Sequence, residues 1–346
     1  MQYKNEQIFH DICFHKLNKG KPWPEKFTKL DVIKDVPFDH ELGGIWSLQY
    51  SYDGDTLAVG YGNGAIRLYN STTGEKLQEL RKTRYGGYQI MCMRFHPKEP
   101  HLLLAGTSEG NVFMCNTKDG SIVEKISEKG NEINCIDFDY DGFNFATAGK
   151  DLNVRIYDTK TFKLDRLYGG YDSTQNPTEI ASCAMRVFSL KYHPQKDNIF
   201  VTGGWENHLK IWDHSTKNGV QRTIHGPHIC GDSIDLHEWT ILTGSWVGTK
   251  ALQEWDWTSG KVIKDIPFNY HGHDGAYLYC AQYCDNDVVI AGGSGTNSVQ
   301  AVNKNTGEVI GEVKMKGAVH AVDTTMGGRL FALGGREDNL VLGRLG

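Results

Sequence analysis

Apolar and polar residues alternate along this chain in short runs, and the runs come in recurring groups. Period-two alternation puts apolar side chains on one face of an extended strand, so each run reads as a half-buried β-strand. The clearest group is residues 202–213, TGGWENHLKIWD. A small-residue strand ends at Gly203-Gly204, a polar turn follows, and an alternating strand closes on Trp212-Asp213. Related segments start at Ala58 (AVGYGNGAIRLYN), Leu104 (LAGTSEGNVFMCN), Ala146 (ATAGKDLNVRIYD), Leu242 (LTGSWVGTKALQEWD), Ile290 (IAGGSGTNSVQAVN) and Ala332 (ALGGREDNLVLGR), which makes seven copies.

The small residue ending each second strand gives the anchors Gly60, Gly106, Ala148, Gly203, Gly244, Gly292 and Gly334, at intervals of 46, 42, 55, 41, 48 and 42 residues. Each unit opens on an inner strand, such as IWSLQY from Ile45 or INCIDFDYDG from Ile133. A period in the forties with four strand-like runs per unit is the signature of propeller blades. Radial packing of the sheets buries their faces against neighbours. Small anchors let adjacent sheets approach near a central channel, and turns such as Tyr52-Asp53-Gly54 supply the left-handed backbone of tight hairpins. The last unit ends after three strands, at 318–324, 330–333 and 340–344, whereas residues 30–36 alternate and precede the first complete unit. The pattern predicts an all-β fold, a seven-bladed β-propeller of four-stranded antiparallel blades whose last blade is closed by an N-terminal strand. Residues 1–29 are expected to form an N-terminal extension and 30–346 the propeller.

Composition narrows the chemistry. The net charge of −5, from 37 basic and 42 acidic residues, gives no global field selecting nucleic acid or an anionic membrane. The start, MQYKNEQIFH, lacks the apolar core of a signal peptide, and no run approaches the ~18 apolar residues of a bilayer span. A soluble, cytoplasmic protein is expected. The eight cysteines show no CxxC spacing and mostly fall inside apolar strand patterns, so they read as structural thiols. His10, Cys13 and His15 lack a fourth ligand at usable spacing, and their segment reads as a strap over the domain. His225, His228, His271 and His273 fall in two loops and are explained as turn and network residues. No metal and no cofactor are expected.

Two motifs suggest chemistry without its context. Gly106-Thr107-Ser108-Glu109-Gly110 spells GxSxG, but a nucleophile elbow needs a strand-turn-helix and this motif joins two strands. Gly60-Tyr61-Gly62-Asn63-Gly64 has no following helix to meet a pyrophosphate and reads as a hairpin turn. No catalytic residue is assigned.

The repeats resemble the WD-repeat (WD40-type) β-propeller family. Trp212-Asp213 and Trp255-Asp256 match its terminal dipeptide, and Tyr69-Asn70 and Tyr157-Asp158 are conservative versions. His228 and His273 resemble the family's Gly-His element. The resemblance implies a polar network in each blade, with His228, Ser245 or Thr243, and Trp255 in blade five and Asp151 in the turn of blade three; blade six has Val302 where Trp would be. It also implies that the outer-to-inner connections and the second-to-third-strand turns share one face, the upper face. Candidate partner-binding residues there are Tyr61, Arg84, Tyr88, Lys150, Arg186, Trp205, His228, Trp246, Tyr277 and Arg336. Trp and Arg dominate interface energetics, although Trp205 and Trp246 also suit a wedge between blades. Residues 169–185, rich in Gly, Ser, Thr, Asn and Pro, account for the 55-residue interval and read as a loop.

The resulting expectation is a non-catalytic scaffold binding peptide or protein partners on the upper face, within a larger complex, with no membrane, nucleic-acid or small-molecule partner. Several alternatives stand beside it. Substrate receptors of ubiquitin ligases often carry Arg two residues after Trp-Asp, where this chain has Ser215 and Thr258. A modified-lysine reader would cage its ligand with Trp205, Trp246 and Tyr61. An enzyme would need an ionisable cluster at the channel mouth, where the sequence shows mainly apolar positions beside Arg186, Glu132 and His320. Arg81, Lys82 and Arg84, with Tyr85 and Tyr88 interleaved, are the one patch suited to stacking bases.

Overall fold

The structure, a computed structural model, describes residues 26–82, 87–169, 183–268, 276–337 and 339–346. Its strands form seven four-stranded antiparallel sheets. Blades 1 to 6 span 45–81, 90–127, 133–168, 187–225, 234–266 and 278–314, each running from inner to outer strand in chain order. Blade 7 takes three strands from 319–345 and its outer strand from β1 (Leu30–Pro37). That strand pairs antiparallel with Asn339–Leu345, from Leu30 opposite Leu345 to Pro37 opposite Asn339. The expected closure of the ring by the N-terminal strand is therefore observed. It extends to the Thr28 and Lys29 N–H groups, which both donate to the Gly346 carbonyl, and to Phe27, buried between blades 6 and 7.

The core is divided among the blade interfaces. Among the described residues seven apolar clusters are present, each shared by two adjacent blades. Ile45 and Leu57 of blade 1 meet Ala332 and Leu340 of blade 7, and Phe145 of blade 3 meets Leu104 and Met114 of blade 2. The anchors work as close-approach points. A Cβ at Gly60 would lie 2.8 Å from Cβ of Ile90 in the next blade, and one at Gly334 would lie 2.8 Å from Cβ of Ile45. Real side chains do not tolerate such spacing, so a larger residue there would push neighbouring blades apart.

Within blades the polar networks vary. The Trp212 indole N–H donates to Thr202 Oγ1 at 2.8 Å and that of Trp255 to Thr243 Oγ1 at 2.9 Å. In blade 3, Glu128 accepts from Thr147, Arg155 and Tyr157, while Arg155 also pairs with Asp151. In blade 1 a Tyr61–Tyr69 hydroxyl pair at 2.7 Å stands in the same region. Ser108 lies in a turn between two strands, bonded to Gln89, and Gly64 closes a hairpin at φ +86°. Neither sits at a helix start.

Candidate interaction surface at the channel mouth

Each inner strand contributes to one level of the channel the residue paired with the position two before its anchor: Gln49, Arg94, Asp137, Lys191, Asp235, Gln282 and Asp323. Carboxylates occupy blades 3, 5 and 7, and donor-bearing side chains occupy blades 2, 4 and 6. Seven is odd, so strict alternation must break once. It breaks at blade 1, where Gln49 does both jobs: its amide donates to Asp323 at 3.1 Å and its oxygen accepts from Arg94 at 3.3 Å. The carboxylates also accept backbone N–H groups of the next blade, Asp137 from Tyr192, Asp235 from Tyr283 and Asp323 from Tyr50. Arg94 ties the ring together. It pairs with Asp137 at 3.3 Å and reaches Asp232, in the connection leading into blade 5, at 2.7 Å.

Burial competes with these contacts. It pushes the Asp323 carboxyl up to about 6, against hydrogen bonds from Gln282 and the Tyr50 N–H that favour its charge. Burial likewise raises Asp137 despite Arg94. At Asp232 burial opposes ionisation too, but Arg94 and Lys191 win and hold the carboxyl below its ordinary range.

Above this ring the inner strands bulge. Pairing shifts by one residue at Trp46, Met91, Asn134, Phe188, Tyr279 and His320. A bulge re-aims the extra side chain, and all six residues line a cavity of about 220 Å³ at the upper channel mouth, with Cys230 and Asp232 from the connection into blade 5. The Trp46 and His320 rings lie 4.9 Å apart, and Tyr279 meets His320 edge-on at 5.7 Å.

On the upper face, the residue two beyond each anchor is Gly62, Ser108, Lys150, Trp205, Trp246, Ser294 and Arg336. All seven donate their backbone N–H to the connection preceding an inner strand, which fixes where each side chain emerges. Tyr61 is not among them. It stands one residue earlier, beside Thr107, Gly149 and Gly204, and a one-residue shift along a strand reverses the side chain's face. Tyr61 is fully buried, packed on Phe38 and bonded to Tyr69. Its assignment to partner binding is corrected, and the cage of Trp205, Trp246 and Tyr61 does not form.

The other candidates fall into two groups. Lys150 and Arg186 share Glu132, at 2.6 and 2.9 Å, and the Arg186 guanidinium lies 5.6 Å from the Trp205 ring centroid. Trp205 packs on Phe188, donates its indole N–H to Cys230 Sγ at 3.1 Å and remains 38% exposed. Trp246, equally exposed, touches Tyr277 at 5.0 Å and His228 at 6.4 Å. His228 belongs to a different network from the expected one. Its Nδ1 bonds to Asn207 of the blade 4 turn at 2.7 Å, while Ser245 Oγ has no partner among the described residues. Burial lowers the His228 pKa. Tyr88 is half-exposed and Arg336 is exposed. Arg84, Tyr85, His271, His273 and most of the 169–185 insert lie outside the described residues. Arg81 turns inward, bonding the Gly64 carbonyl and lying over Phe113. It does not belong to an open basic patch.

Two family models match the chain. The model described as WD domain, G-beta repeat matches residues 120–158 and 178–213, and that described as Anaphase-promoting complex subunit 4 WD40 domain matches residues 28–98. These segments fall on repeats of a closed seven-bladed ring. The chain is a WD-repeat propeller. It is 24% identical over 257 residues to cell division cycle 20.1, cofactor of APC complex, from Arabidopsis thaliana, covering 73% of this chain and 53% of that protein. WD repeat-containing protein slp1 of Schizosaccharomyces pombe is 23% identical over 262 residues, 72% of this chain and 48% of its own length. GATOR2 complex protein WDR24 of Homo sapiens is 25% identical over 170 residues, 48% and 20% respectively. The propeller thus spans about half the length of the Arabidopsis and fission-yeast relatives.

Two features of this WD-repeat propeller escaped the sequence reading. The channel holds a ring of ionisable groups where mainly apolar positions were expected. The lower face also carries exposed aromatics, Tyr52, Phe143 and Trp239, in the first turns of blades 1, 3 and 5. The ring is found by aligning, in every inner strand, the residue paired with the position two before the anchor. Tyr52 and Phe143 flank Asp-Gly turns, which the sequence pattern marks only as turns, and Trp239 follows Glu238 in a turn without that marker.

Proposed function

We propose that this WD-repeat propeller is a non-catalytic platform in the cytoplasm that binds protein partners on its upper face within a larger assembly. The observation carrying this reading is the arc formed by Arg186, Trp205, Trp246 and Tyr277. Its two tryptophans are partly exposed, yet each is held by ring contacts and by a backbone N–H bond. Aromatic and Arg groups already fixed in place lose little rotamer freedom on binding and contribute most to interfaces. The ionisable ring favours a non-catalytic reading, because its members mainly satisfy one another. Two of the relatives, a cofactor of the APC complex and a GATOR2 complex protein, support work inside assemblies. They also favour a second reading, a receptor that presents a bound protein to a larger complex.

The test is capture of partners from native extract by the full chain, followed by hydroxyl-radical footprinting of the purified complex. Trp239, on the opposite face and 53% exposed, is an internal control. Protection of Trp205 and Trp246 with Trp239 unchanged is expected. Protection of Trp239 alone would move the interface to the lower face.

A further inference from the structure

We propose that the upper channel mouth receives one cationic side chain of the protein partner, seated among Trp46, Phe188, Tyr279 and His320 with its charge on Asp232. This rests on the upper-face reading and specifies what the partner inserts. The cavity, about 220 Å³, is smaller than the roughly 300–1,000 Å³ of typical small-molecule pockets. At about 30 Å³ per water it holds some seven waters, a volume suited to a single side chain. Its lining includes the Trp46, Phe188 and Tyr279 rings, a type of side chain that attracts cations, together with Met91, Asn134 and Arg94.

Its floor supplies the counter-charge. The Asp232 side chain is 45% exposed, against 13% for Asp137 in the ring below. Oδ2 of Asp232 accepts from Arg94, while among the described residues Oδ1 has a long contact from Ser189 at 3.4 Å, leaving room for a further donor. Within the channel, the cations Arg94 and Lys191 face four carboxylates, Asp137, Asp232, Asp235 and Asp323. The charge of Arg94 is therefore more than offset, and the enclosed excess is negative. On the upper face, Arg186 is paired with Glu132, and the charge of Arg336 acts on His320. Burial and Arg336 keep His320 neutral, so it does not repel an entering cation, and its Nδ1 is buried without a partner among the described residues.

Four blocked amino-acid amides test this directly against the full chain by saturation-transfer NMR: arginine, lysine, and their neutral isosteres citrulline and acetyl-lysine. At least one cationic amide is expected to bind, with its neutral isostere about tenfold weaker, the loss that accompanies a missing charged hydrogen bond. Asp232→Asn should weaken the cationic probe by a similar factor, and Tyr279→Leu should weaken it if the Asn variant fails to fold. Phe143→Ala, on the lower face and 72% exposed, should leave probe binding unchanged, because it lies outside the cavity lining. Equal binding of cationic and neutral amides, or binding of none of the four, would overturn the proposal. The platform reading would still stand or fall separately, on the Trp205 and Trp246 footprint.

Discussion

The channel has two levels, built from the same inner strands three residues apart, and they solve opposite problems. At the lower level Gln49, Arg94, Asp137, Lys191, Asp235, Gln282 and Asp323 point their polar groups at one another. At the upper level Trp46, Phe188, Tyr279 and His320 leave ring surface and a carboxylate open to a cavity. Where groups are mutually satisfied, side-chain chemistry holds the blades in register. Where they are left unsatisfied, the same scaffold has surface for another molecule. The difference teaches that polarity alone does not mark a functional level of a propeller channel; incomplete satisfaction does.

Breaking the lower level should cost the most. Arg94→Leu removes the partner of Asp137 and Asp232 and leaves buried carboxylates uncompensated, which is expected to lower stability by about 3–5 kcal/mol in urea denaturation. A loss below about 1 kcal/mol would show that the ring is decorative. Asp323→Asn sharpens the same point through pH. The folded carboxyl is pushed up to about 6 from 3.8, so the folded chain holds its proton more tightly than the unfolded chain. Stability contributed by this group is full near pH 4 and is lost as pH rises through about 6, a change of about 3 kcal/mol. The Asn variant should therefore gain on wild type as pH rises from 4 to 7, and parallel profiles would contradict the assignment. The smallest effect belongs to Tyr61→Phe, which deletes one hydroxyl pair with Tyr69. It should cost about 1 kcal/mol and leave partner capture untouched. Loss of capture with the fold intact would return Tyr61 to the surface.

The seven-bladed ring was legible because its signals are local and repeated. Small anchors mark close approach, Asp-Gly turns mark hairpins, and residues 30–36 alternate like the strand that blade 7 lacks. The polar ring was hidden for the opposite reason. Its seven members differ in identity from blade to blade, and they align only once the inner-strand register is known. Trp46, Phe188, Tyr279 and His320 read as ordinary alternating positions until a bulge turns each into the channel. Tyr61 was misplaced by a single residue, the smallest error a strand allows and one that exchanges surface for core. His228 was placed in the right loop but with the wrong blade, because its partner Asn207 is brought near only by the closed ring.

The most direct test of the division between levels is a crossed measurement on two variants, Arg94→Leu and Trp205→Ala/Trp246→Ala, scoring urea midpoint and partner capture for each beside wild type. The account predicts that the first loses midpoint while capture by its folded fraction persists. The second should keep its midpoint within about 1 kcal/mol of stability and lose capture. If the tryptophan variant binds normally while folded Arg94→Leu does not, recognition lies in the polar ring, and the assignment of the two levels is reversed.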